Sequence, residues 1–145
     1  MYYLNLRLFY FDELRIWEMM PVAPDTIGES VYLIFAKDYA PLKDRLRSIA
    51  RRLEKSPRYI EETREILRRP VKLWVDIAMD SAAHLPDLME TVLSASKDKI
   101  SGGEFEALRR ASEETKSTLL EYKEWLAGRA ADAREVYTLS EKQFE

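Results

Sequence analysis

From Phe105 onward the chain places mostly apolar or small residues at alternating steps of three and four: Phe105, Leu108, Ser112, Thr115, Leu119, Tyr122, Leu126, Arg129, Ala133 and Val136. Only an α-helix puts such positions on one stripe, and a helix striped this way packs lengthwise along a neighbour. Unbroken at Gly128, it would be about 50 Å long at 1.5 Å per residue. Ser101-Gly102-Gly103-Glu104 precedes it with the hydroxyl and carboxylate of a capping box. A fold built around this helix is an elongated bundle.

The rest of the chain agrees. Four Gly in 145 residues, with 34% charged side chains, is too few turn formers for an all-β fold and suits strong helix formers. The expected class is all-α, about five to six helices in one domain over residues 1–145, without an internal repeat or long linker. A first helix is expected from Leu4 to Met20, with Leu6, Phe9, Tyr10, Leu14 and Trp17 apolar, ended by Pro21 and Pro24. Thr26-Ile27-Gly28-Glu29 reads as a second capping box, opening a short helix to about Tyr39. Pro41 suits the first turn of the next, whose stripe is Leu42, Leu46, Ile49, Ala50 and Leu53. Ser56-Pro57 reads as the start of another helix, closed by Arg69-Pro70. Between Pro70 and Ser96 a two-faced helix is expected, kinked or split near Ala82 by Pro86. Ser140 with Gln143 opens a further capping box, a helix start with nothing behind it, so the chain reads as part of a longer protein or a shortened family member.

The chemistry available is narrow. With no cysteine there is neither a disulfide framework nor a thiolate for zinc or nucleophilic catalysis, which suits a cytoplasmic setting. The apolar stretch Met1–Met20 is interrupted by Arg7, Asp12, Glu13, Arg15 and Glu18, well short of the ~20 clean apolar residues of a membrane span. No Gly-x-Ser-x-Gly elbow and no phosphate loop is present. Asp80, His84 and Asp87 fall at i, i+4 and i+7, a spacing that sets two carboxylates and an imidazole within ~80° of arc on one helical face. With a single His in the chain, this is a weak metal candidate, and no catalytic residue, metal or cofactor is expected.

Net charge is -3, yet Lys43 to Lys72 holds 11 Lys and Arg against 5 Asp and Glu. Glu61, Glu62 and Glu65 interleave with Arg58, Arg64, Arg68 and Arg69 at helix-pairing distances, and no aromatic residues alternate with the cations as a stacking platform needs. A neutralised face is expected, without nucleic acid. The aromatic residues of the N-terminal region are dense enough for core or docking, and Tyr2, Tyr3 and Phe11, off the main stripe, are contact candidates.

Four strings in order, Asp12-Glu13-Leu14-Arg15-Ile16-Trp17-Glu18, Ala36-Lys37-Asp38-Tyr39-Ala40-Pro41-Leu42-Lys43-Asp44-Arg45-Leu46, Arg69-Pro70-Val71 and Tyr122-Lys123-Glu124-Trp125-Leu126, resemble the helical middle of the prokaryotic domain-of-unknown-function family 885. That family is regarded as metal-dependent peptidases, and its His-Glu-x-x-Pro-Gly-His motif is absent here, so no catalytic or metal-binding residue carries over. The resemblance implies a non-catalytic scaffold segment, inactive alone, that walls the cleft of a larger hydrolase. The alternatives are a self-sufficient helical interaction module and, third, a metal enzyme using Asp80, His84 and Asp87. The expected partner is a C-terminal half or a second copy in a symmetric homodimer, with Tyr2, Tyr3, Phe11 or Phe144 in the contact.

Overall fold

The structure, a computed structural model, describes residues 2–135. Ser140, Phe144 and Val136 lie outside the described residues, as does the side chain of Tyr2. The architecture is all-α: α1 (Tyr2–Leu8), α2 (Ala23–Ala36), α3 (Leu42–Ile66), α4 (Lys72–Ser96) and α5 (Gly102–Arg129). Helices α2 to α5 form a four-cornered bundle. α5 packs against both α3 and α4, α2 packs against both on the other side, and α3 and α4 are the diagonal pair. Arg47 of α3 reaches Glu104 of α5, and Arg64 lies over the Trp125 ring, so α3 and α5 run the same way. Asp25 meets Ser81, and Gly28 meets Leu85, so α2 and α4 run together in the other pair.

The core is one cluster in which Leu46, Ile49, Leu53 and Ile60 of α3, Val75, Met89 and Val92 of α4, and Leu108, Leu119, Tyr122 and Leu126 of α5 are almost fully buried. The stripe on α5 is the expected one, including its polar members: Ser112 and Thr115 are as buried as the leucines. Ser101 caps α5 as anticipated, its hydroxyl accepting from the Glu104 backbone N–H (3.3 Å) while the Ser101 N–H donates to the Glu104 carboxylate (2.9 Å). Those bonds and Arg47 hold the Glu104 carboxyl down at about 2. α5 ends at Arg129, and a short 3-10 turn, Ala130–Asp132, follows. At 28 residues it is about 42 Å long rather than 50 Å.

Three expectations about helix limits are corrected. Residues 4–20 do not form one helix. After α1 comes a π-turn, Phe9–Glu13, then Arg15 in the left-handed region (φ 50°, ψ 50°), then a 3-10 turn, Ile16–Glu18. The turn has a physical cause: Leu14, Glu18 and Met19 are buried, and the chain bends to bring them in. Arg15 holds the bend, its guanidinium 3.0 Å from the Glu18 carboxylate and over the Trp17 ring at 5.0 Å. The second helix starts at Ala23 with Pro24 in its first turn, and Thr26 does not cap it.

The third correction concerns Pro57. It starts no helix but lies inside α3, which runs unbroken from Leu42 to Ile66. A proline within a helix leaves the carbonyl four residues back without its N–H donor. Here that carbonyl belongs to Leu53, and the Thr115 hydroxyl of α5 donates to it at 3.0 Å. Both residues are buried, so a neighbouring helix supplies the bond that proline removes. Of the kink or split expected at Pro86 the split does not occur: α4 continues through it as one helix.

One end of the bundle is fastened by the segment between α3 and α4. The Glu18 carbonyl accepts from the backbone N–H of Arg68 (2.9 Å) and Arg69 (2.8 Å), and the buried Glu18 carboxylate accepts from Arg69 Nε (2.9 Å). On its other side Arg134 donates its N–H to the Pro70 carbonyl (3.0 Å) and accepts from Lys72 N–H (2.9 Å), an isolated parallel bridge.

Candidate functional site

α4 buries Val75, Ala78, Ala82, Leu85, Met89 and Val92, which turns Asp80, His84 and Asp87 outward. The side chains of Asp80 and His84 are 76% and 71% exposed. His84 Nδ1 is 2.8 Å from the Asp80 backbone oxygen. A carbonyl only accepts, so this nitrogen carries the proton and the contact is a bond within one turn of helix. Asp76, one turn before, is paired with Lys72 Nζ at 2.9 Å. Among the described residues no group of three His, Asp or Glu side chains could hold a metal ion. The three candidates share one helix and one exposed face, and no facing helix adds a ligand, so the metal site suggested by their spacing is not assembled.

His84 instead forms the rim of an open groove of about 450 Å³ between α2 and α4, with Asp25, Glu29 and Ser81 along it. The Ser81 hydroxyl donates to the Asp25 carboxylate at 2.5 Å. The helices meet closely because Gly28 has no side chain: a Cβ there would lie 2.7 Å from a Leu85 methyl.

The N-terminal arm is the second candidate. Tyr3 is 81% exposed and Phe11 62%, and Leu4, Leu8 and Tyr10 are exposed with them. Two of the contact candidates, Tyr3 and Phe11, are thus on the surface. Phe11 is fixed in place: its carbonyl accepts from Trp17 Nε1 at 3.2 Å and its ring centroid is 6.3 Å from that of Trp17. Just past the arm, Met20, Pro21, Val22, Trp74 and Ile77 line a mostly apolar depression of about 220 Å³ with Asp25 in its wall, and exposed Leu73 precedes Trp74.

The strings that carry the resemblance hold the fold together. Glu18 and Arg69 form the fastening described above. Arg45, 8% exposed, donates to the carbonyls of Phe35 (2.5 Å) and Ala40 (2.8 Å) and pairs with Asp38 (3.2 Å), which fixes the corner between α2 and α3. Tyr122 is buried and stacked on Trp125 (5.6 Å), whose ring lies under Arg64 and Arg129. Burial pushes the Tyr122 phenol up to about 12, and the neighbouring Thr63 hydroxyl offsets part of that. Thr63 itself donates to the Ile60 carbonyl, and the Tyr122 hydroxyl completes no hydrogen bond. No helix among the described residues is long and apolar enough to cross a membrane. No family model matches the chain, and neither a curated protein nor a solved structure does.

Proposed function

We propose that this chain is a non-catalytic helical scaffold that works by docking its apolar N-terminal arm onto another polypeptide, in the first place a second copy of itself. The observation that carries the reading is the run of exposed apolar side chains, Tyr3, Leu4, Leu8, Tyr10 and Phe11, along the N-terminal segment. Exposed apolar surface of this kind marks a protein contact. The apolar depression beside Leu73 and Ile77 offers a complementary seat, and an arm reaching a partner's depression is matched by the partner's arm, a closed two-fold exchange.

Sedimentation equilibrium tests it. The expected result is a dimer whose population rises with concentration into the high micromolar range, and which Leu8→Ser with Phe11→Ser returns to monomer with the helical circular-dichroism spectrum retained. A strictly monomeric wild-type chain at that concentration overturns the proposal.

The resemblance to the peptidase-like family supports a second reading, in which the partner is a catalytic half and this chain the wall of its cleft. It is favoured by the residues of the four strings, whose contacts close the fold. Both readings make the isolated chain inactive. One zinc per chain, lost on His84→Ala, would overturn both.

A further inference from the structure

Most cations of the basic stretch are neutralised, as the interleaved carboxylates suggest. Arg47 is paired with Asp44 and Glu104, Arg58 with Glu62, Arg64 with Glu61, Arg69 with Glu18 and Lys72 with Asp76. Five are the exception: among the described residues Lys43, Arg68, Arg51, Arg52 and Lys55 have no carboxylate partner, and the last three lie together on α3. All three line one open groove of about 470 Å³ between α2 and α3. Thr26 and Ile27 of α2 line the opposite wall, and Tyr59 lines the groove further along α3. Ser48 and Ser56 also reach the groove, each hydroxyl donating to the carbonyl four residues back at 3.0 Å. Like charges one turn apart, Arg51 and Lys55, disfavour the helix that carries them.

We infer that this groove is a binding site for a small organic phosphate, with Arg52 and Lys55 on the phosphate oxygens, Arg51 at the rim and the Tyr59 ring against the organic part. Guanidinium groups match phosphate oxygens with paired N–H bonds, an ammonium adds a point charge, and the free hydroxyls of Thr26 and Tyr59 complete a donor set suited to an oxyanion. Its volume falls in the range of small-molecule sites. A nucleic-acid strand fits less well. From Ser48 to Tyr59 the groove is only about 16 Å long on α3. The paired Arg47 and Arg58 flank the free cations on α3, and Tyr59 is the one aromatic ring lining the groove, where a strand needs a continuous charged track with several.

The test is titration of the full chain with phenyl phosphate at fixed ionic strength, followed by amide chemical shifts and calorimetry, with inorganic phosphate and a single-stranded oligonucleotide in parallel. The expected result is saturable one-to-one binding of phenyl phosphate, tighter than inorganic phosphate, with shifts confined to residues 26–30 and 48–59. Arg52→Gln and Lys55→Gln should each weaken it about tenfold, and Arg58→Gln, on the same helix outside the groove, should leave it unchanged. Absence of saturation, an equal loss in Arg58→Gln, or oligonucleotide binding that strengthens with length would overturn the inference. The arm variants of the dimer test leave this groove intact, so the two proposals fail separately.

Discussion

If the Thr115 hydroxyl replaces the N–H that Pro57 lacks, the two residues are energetically coupled through the Leu53 carbonyl. Thr115→Val keeps shape and volume nearly constant and removes one donor. The Leu53 carbonyl, on a residue 1% exposed and facing one that is 0% exposed, then has no partner and no access to water. Leaving a buried acceptor unsatisfied costs about 1–3 kcal/mol, which at this chain length lowers the melting temperature by roughly 3–4 °C per kcal/mol. Pro57→Ala returns a backbone N–H to the same carbonyl. The cost of Thr115→Val should therefore shrink by at least about 1 kcal/mol when Ala is already at 57. Urea titrations of the four proteins, wild type, two singles and the double, give the coupling directly, provided the denaturant slope stays constant. Additivity within about 0.5 kcal/mol would show that the two sites are independent and refute the account of why proline is tolerated in α3.

Two further outcomes are expected. Leu119→Ala on the α5 stripe should cost about 2–5 kcal/mol by denaturant titration, and Glu121→Ala, exposed on the same helix, no more than about 0.5 kcal/mol; equal losses would misplace the stripe. Tyr122→Phe should be neutral or stabilise by about 1 kcal/mol, because the deleted hydroxyl has no bond in the fold and loses water on burial. The same residue sets an alkaline limit: with its folded phenol raised above the usual 10 to about 12, stability present below pH 10 is lost as pH rises towards 12, and melting curves of the Phe variant should lack that fall.

The bundle class and α5 were legible because periodicity and capping are local: Leu108, Leu119 and Leu126 repeat at helical spacing, and Ser101 needs only Glu104 to cap. Pro57 was misread because its tolerance depends on Thr115, 58 positions later, and no local pattern reports that pairing. The break at Arg15 was hidden for a similar reason, since the burial of Glu18 against Arg69 pulls the chain out of a helix that its own residues favour. For the candidate sites, spacing placed Asp80, His84 and Asp87 on one face correctly but said nothing of a facing helix, which decides whether a metal could be held. The charge count found the basic stretch, yet not which of its cations lack partners, because Arg47 and Arg69 are neutralised by residues 57 and 51 positions away.

The fastening between α3 and α4 also bears on the order in which the chain comes together. Its bonds join residue 18 to residues 68–69, and residue 134 to residues 70 and 72, so each closes a long loop before returning any stabilisation. Helices α3, α4 and α5 can find one another through short connections first, and the two distant segments can seat only on a 67–71 turn that those helices have already shaped. The junction is therefore a late event in assembly, and an early one in unravelling: once the turn opens, the segments around residues 18 and 134 lose their anchorage together while the leucine-filled middle of the bundle is still closed.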